Sequence, residues 1–433
     1  MGFTKKTVRD VDIAGKRILL RVDFSVMYTP DGAIVDDYKI RAVLPTIRYA
    51  LEQNASVVLC SHLGRPEGKF NASMSLFGVA KHLRELLGQD VDFVPACVGE
   101  RADKAKQALQ PGQILLLENL RFDTREESND ETFAEELARD CDVFVQDGFA
   151  VCYRQHASVD AITRKLPSVA GLLLAAEIEE LSEVFAENCS RPVVAIISGS
   201  SLHEKLHVLE RAMWVADVVA VGGTMATTLL RAQGIKTGKS PIHPDELPLA
   251  HELLHRASEQ RRERAMLWYL PQDGVVAKRS DVHANTRLVD WSANVIADIE
   301  AYPKRAADET SQVADDEMIL DIGPFSGAFL AGVMHSAGTV LLCGAPGDVS
   351  VHGARGPVGP FANGTQLLVE GMTGQFGHLP GKTVVVGDDA VNFVVAQGLE
   401  TVCTHVSTGG GASFEVLAGH SLIGVDALEE RKV

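Results

Sequence analysis

The 433-residue chain has no C-x-x-C pair and no G-x-S-x-G, so neither a paired-cysteine zinc site nor serine-hydrolase chemistry has a basis in it. Its seven cysteines, Cys60, Cys97, Cys141, Cys152, Cys189, Cys343 and Cys403, are dispersed and odd in number. That pattern argues against a disulfide framework and leads to the expectation of a reduced, cytoplasmic protein. No run of about eighteen apolar residues occurs, and the opening MGFTKKTVRDVD carries charge without a following apolar stretch. Neither a membrane span nor a secretory signal is expected. Positive charge is in the minority, with 41 lysines and arginines against 58 aspartates and glutamates and a net charge of −17. Such a balance disfavours nucleic acid and acidic membranes as partners, while leaving small anions open to local basic clusters. A phosphate-binding P-loop is missing too: GIKTGKS at 234–240 has three residues between its glycines, where the motif has four. His203 and His207 stand at helical spacing with no third ligand in view, which reads as two surface histidines.

What the chain does contain is a rhythm. Apolar, β-branched runs recur: KRILLRVDF, SVVLCSHLG, QILLLENLRF, DVFVQDGFA, RPVVAIISGS, ADVVAVGG, GTVLLCGAPG, KTVVVGDDA and LETVCTHVSTGGG. Between them lie segments such as IRAVLPTIRYALEQ and HEKLHVLERAMWVAD, with apolar residues at helical spacing. Repeated strand–helix–strand units build parallel sheets. The fold class is therefore α/β with parallel sheets covered by helices, and the length suits two domains of about 200 residues each, with a candidate interdomain helix between them. The expected limits are a first domain at 1–169, an interdomain helix at 170–190, a second domain at 191–405 and a C-terminal segment at 406–433. Residues 272–317 are polar and read as irregular surface structure.

Ligands of open parallel sheets bind beyond the carboxyl ends of the strands. In the first half those ends carry Asp23, then His62 and Arg65, then Arg121, then DGFA followed by Arg154 and His156: a cationic cluster in an acidic chain. Any one arginine there could be a solvated surface charge, but several together point to an anion site. In the second half the ends are glycines instead: Gly199, Gly222 and Gly223, Gly344 and Gly347, Gly387 ahead of Asp388 and Asp389, and Gly409 to Gly411. Each alone reads as a tight turn. Repeated at successive strand ends, they let backbone N–H groups approach a phosphate chain, and Ser407 and Thr408 are placed to cap a helix starting near Ala412.

The ordered strings RVDF, DDYKIRAVLPTI, SHLGRP, LENLRF, HAS, GGTM, AQG, GKS, DIGP, FANGT and STGGGAS resemble the phosphoglycerate kinase family over roughly residues 5–425. The resemblance implies two doubly wound, Rossmann-like parallel-sheet domains joined by a hinge helix, the first for 3-phosphoglycerate and the second for ATP or ADP with Mg2+, with the hinge closing the cleft. It also implies a C-terminal return to the first domain and phosphoryl transfer between 1,3-bisphosphoglycerate and ADP in glycolysis. No nucleic acid or membrane partner is implied, and a monomer is expected. Carried over by position, Asp23, Ser25, His62, Arg65, Arg121 and Arg154 fall on the acid-binding side. Lys39, Lys205, Gly410 and Gly411 fall on catalytic positions. Ser201, Lys205, Gly222, Gly223, Gly344, Ser350, Gly387, Ser407, Thr408 and Gly409 fall on the nucleotide side, with Asp389 at the metal.

Several of those positions depart from the family pattern. Ser25 stands for asparagine and Met27 for proline. Lys39 stands for an arginine, keeping the charge without the two-pronged donor. Ser201 stands for the lysine that follows the transferred group, Cys343 for asparagine, Ser350 for the glutamate near ribose, and Ala390 for threonine or serine. Losing one transition-state donor costs about 100- to 1000-fold in rate, so reduced turnover is expected, with His203 the nearest side chain that could supply the missing charge. Two other readings stay open: a non-catalytic relative acting as a ligand-binding or protein-interaction module, and a kinase for another carboxylic acid.

Overall fold

The first sheet grows from β1 (Arg17–Arg21), whose side chains go alternately to two apolar layers. Ile18 and Leu20 pack with Val57, Leu59 and Val145, while Leu19 packs with Val58 and Phe144 on the other face. A strand covered on both faces reads as a continuous apolar run, and the RILLR and SVVLC segments have that character. With β2 (Ser56–Cys60), β3 (Val91–Val94), β4 (Ile114–Leu117), β5 (Val143–Gln146) and β6 (Ser168–Ala170), the spatial order is β3-β4-β2-β1-β5-β6, all parallel. The order reverses at β1.

A second parallel sheet repeats the plan around β7 (Val193–Ser198). It adds β8 (Val218–Gly222) and β9 (Leu267–Tyr269) on one side, and β13 (Thr339–Cys343), β14 (Lys382–Val386) and β15 (His405–Val406) on the other, in the order β15-β14-β13-β7-β8-β9. The computed structural model describes residues 3–29, 32–292, 311–354 and 356–431. Two compact units result: Met1–Glu179 with Gly411–Val416 and His420–Val433, and Glu180–Gly410 with Leu417–Gly419. The division falls inside the helix Leu172–Val184.

Two expectations need correction. Part of 272–317 is ordered sheet: β10 (Asp273–Ala277) pairs antiparallel with β11 (Thr286–Asp290) and with β12 (Met318–Ile322). β11 alternates exposed and covered residues rather than forming an apolar run, which is why its sequence looks irregular. Residues 293–310 of that stretch lie outside the described residues. The LETVCTHV segment contributes only His405 and Val406 to the sheet, since an edge strand needs pairing on one side alone. Among the described residues no helix is long and apolar enough to cross a membrane.

Within the first unit the chain's two ends are tied together. The Lys5 ammonium, nearly buried, donates to the carbonyls of Asp426 and Leu428 and to Glu430 at 2.6 Å. Replacing it (Lys5→Ala) is expected to lower the unfolding free energy by about 1–2 kcal/mol, read by urea denaturation.

Asp147, which follows β5, is fully buried; its Oδ1 accepts the Leu174 N–H at 2.9 Å and its Oδ2 has no partner among the described residues. Burial pushes its carboxyl up from 3.8 to about 7. A raised carboxyl means that the folded state holds its proton after the unfolded chain has released it. Stability therefore falls as pH rises from 3.8 toward 7 and levels off above that. Asp147→Asn removes this titration, so its advantage over the wild type should widen across that window in urea melts at successive pH values.

Candidate functional site

In the first unit, four adjacent strands, β4, β2, β1 and β5, bring their carboxyl ends to the place where the strand order reverses. Asp23 and Ser25 follow β1, His62 and Arg65 follow β2, Arg121 follows β4 and Arg154 follows β5. Lys39 enters from the first turn of the helix Tyr38–Glu52 and its Nζ donates to Asp23 Oδ2 at 3.3 Å. Asp23 also accepts the Ser25 N–H at 3.0 Å. Burial opposes its charge, but the Lys39 ammonium and the Ser25 N–H outweigh it and hold the carboxyl well below the usual range. Arg121 donates to the Gly64 carbonyl at 2.8 Å, and its Nε lies 3.3 Å from Glu127. The Arg154 guanidinium lies over the Tyr153 ring, 4.8 Å from its centre, and Arg65 is exposed on the same loop as Gly64.

Sequence reasoning missed the group at the centre of this cluster. Arg21, the last residue of β1, is completely buried; its Nε donates to Ser158 Oγ at 2.9 Å, and one of its terminal nitrogens donates to the Val22 carbonyl. The other lies 3.2 Å from His62 Nδ1. Ser158 passes its own proton to Glu126 at 2.6 Å. A lone arginine closing an otherwise apolar strand is the signal that could have found it. His156 also belongs here: burial and then Arg121, Arg21 and Arg154 push its ring down to about 4, so it stays neutral.

In the second unit the glycines have a packing reason before any ligand one. A Cβ on Gly223, where φ is +64°, would meet the Gly199 carbonyl oxygen at 2.8 Å, and one on Gly344 (φ +82°) would meet the Ser198 oxygen at 2.4 Å. The turns after β7, β8 and β13 thus touch backbone to backbone, which only glycine permits. They form one wall of a cavity of about 280 Å3, lined by Gly199, Gly223, Pro346, Asp348 and Asp389 at one part and by Leu230 and Trp291 at another. Gly387 has φ +88° and precedes the helix Asp388–Val395; Gly410 has φ +48°, and Gly409 N–H is held by Ser407 Oγ at 3.1 Å. Ser407 and Thr408 are buried, and the helix Gly411–Ala418 follows.

Lys205, on the helix Leu202–Val215, is nearly buried with Nζ 3.6 Å from Cys343 Sγ; burial pushes that thiol up despite the ammonium beside it. Asp389 faces solvent at the cavity, and its carboxyl is raised by crowding and then by the neighbouring charge of Asp388.

Two side chains are engaged differently from expectation. Ser201 caps the helix Leu202–Val215 and donates to Glu246 at 2.5 Å, while Glu246 also accepts the N–H groups of Leu202 and His203. Despite its burial, those three donors hold the Glu246 carboxyl below its ordinary value. The charge nearest Ser201 is therefore negative. The His203 side chain, the expected source of a positive charge here, is exposed, while its backbone N–H serves Glu246. Ser350 is exposed and leans on Asp348 Oδ1 at 2.5 Å, so Asp348, not Ser350, forms the cavity wall.

The family model for phosphoglycerate kinase matches residues 8–420. Phosphoglycerate kinases of Roseiflexus sp. (strain RS-1) and Moorella thermoacetica are 41% and 39% identical, over 99% of this chain and all of theirs. Among solved structures, phosphoglycerate kinase from Coxiella burnetii superposes with a TM-score of 0.77 at 31% identity, covering 98% of both chains. That from Pyrococcus horikoshii reaches 0.79 at 26% identity, also over 98% of both. With the paired parallel sheets, the cationic strand ends and the glycine-walled cavity, these likenesses establish that the chain belongs to the phosphoglycerate kinase family.

Proposed function

We propose that this chain transfers a phosphoryl group between 1,3-bisphosphoglycerate and ADP, holding the three-carbon acid in the first unit and the nucleotide in the cavity of the second. The observation that carries the reading is the set of cations at neighbouring strand ends, Lys39 on the ionised Asp23, Arg121 beside His62, and Arg121 and Arg154 beside His156, in a chain of net charge −17. Guanidinium forks suit the phosphate and carboxylate of a small acid, and Asp23 is left as an acceptor for its hydroxyl.

On the nucleotide side, backbone N–H groups at Gly222, Gly223, Gly344, Gly387 and Ser407 to Gly409 are assigned to the phosphate chain and ribose, with Lys205, Gly410 and Gly411 at the transferred group. Asp389 fits Mg2+. Among the described residues no cluster of three metal-binding side chains exists, and this ion is commonly held by one or two carboxylates together with phosphate oxygens and water. Mg2+ would neutralise charge on the phosphates. The work left to the protein is alignment and neutralisation of charge, since phosphoryl transfer needs little covalent help. Seven unpaired cysteines support a reducing, cytoplasmic location.

A second reading, binding without efficient turnover, is favoured by the Ser201 and Glu246 contact, which puts a carboxylate where the family has a lysine. A coupled assay with ATP and 3-phosphoglycerate separates the two. Turnover should exceed that of Asp389→Ala by about 100-fold or more; equal rates would sink the kinase reading. The double change Lys39→Arg with Ser201→Lys is expected to raise kcat by about 100-fold with little change in KM. No gain would mean that more than these two donors has been lost.

A further inference from the structure

We propose that Arg21 is a positioning residue for the acid pocket, fixing His62 as its Nε2–H tautomer and so giving one direction to a hydrogen-bond chain from Arg21 through His62 to the Ser25 hydroxyl. The geometry leaves little freedom. A guanidinium carries only donors, so the nitrogen 3.2 Å from it, His62 Nδ1, must accept. The ring's one remaining proton then sits on Nε2, which lies 3.3 Å from Ser25 Oγ. Ser25 Oγ therefore accepts from the ring, while the Ser25 backbone N–H donates to Asp23 Oδ1 at 3.0 Å. Asp23 Oδ1 lies 3.9 Å from His62 Nδ1, too far for a hydrogen bond and in keeping with a nitrogen whose lone pair is already used.

The same guanidinium runs a second chain in the same sense, through Ser158 to Glu126. Both start from a side chain that cannot accept, and both reach a serine hydroxyl.

The groups facing the His62 ring agree with a neutral imidazole. Arg21 and Ser25 flank it on the β1 side, Lys39 comes from the helix Tyr38–Glu52, and Arg121 comes from the turn after β4. Only Asp23 favours a charged ring, and burial together with the three cations outweighs it. It follows that Ser25, standing where relatives have asparagine, has its hydroxyl oxygen engaged by the neutral ring and its N–H engaged by Asp23. The pocket then offers an incoming acid an acceptor at Asp23 and donors at Arg121 and Arg154. This consequence for the acid rests on the kinase reading; the tautomer does not.

The test is NMR of the full chain labelled with 15N-histidine, with the His62 signals assigned by their loss in His62→Gln. Wild type should show the Nε2–H tautomer without titration from about pH 5 to about 9, where an unperturbed histidine changes charge. Arg21→Lys keeps a donor and should keep the tautomer. Arg21→Met should release Nδ1, giving mixed tautomers or a titrating ring, and should weaken 3-phosphoglycerate binding about tenfold in calorimetry, with Arg21→Lys close to wild type. An Nδ1–H tautomer or an imidazolium in the wild type overturns the proposal, as does an Arg21→Met spectrum unchanged from it. If Arg21→Met does not fold, the wild-type and Arg21→Lys spectra decide alone. Failure to bind the acid with the expected tautomer in place would count against the kinase reading instead.

Discussion

Everything functional in this chain hangs on one constraint of parallel sheets: the strand order reverses at a central strand, and loops leaving the carboxyl ends on its two sides part there and leave room. β1 is that strand in the first unit and β7 in the second. The same topology yields two different chemistries because different residues close the strands. Side-chain cations gather at the first reversal. At the second, glycines let backbone turns touch, and Gly199, Gly223 and Gly347 line a cavity.

Charge in the first unit is managed by direction as much as by sign. An isolated buried guanidinium is costly, and Arg21 avoids that cost by donating to Ser158, Val22 and His62. Its neighbours are in turn left with defined roles: His62 and His156 stay neutral, Asp23 stays ionised, and Glu126 is pushed up by burial against the pull of Arg21. The second unit shows the opposite habit. Asp348, Asp388 and Asp389 stand near enough to raise the Asp389 carboxyl, an arrangement that a cation relieves.

The helix Leu202–Val215 has its anion built in. Its N-terminus is capped by Ser201 and filled by the Glu246 carboxylate, so the amides of Leu202 and His203 already have an anion from the same chain. A helix N-terminus favours negative charge, and here it is supplied internally.

Sequence alone determined the alternation of strand and helix, the cationic first half, the glycine-ended second half and the family, because apolar periodicity and local turn chemistry are written in neighbouring residues. It also placed Lys39 and Ser201 as departures. What only the tertiary structure decided is who meets whom across long separations: Arg21 with Ser158 and His62, Ser201 with Glu246, and Asp348 in the cavity wall where Ser350 was expected. The β10–β11 pairing was hidden for the same reason, since antiparallel partners share no sequence period that marks them. Hydrogen-bond direction, burial and the resulting proton affinities arise from those contacts, and no spacing along the chain encodes them.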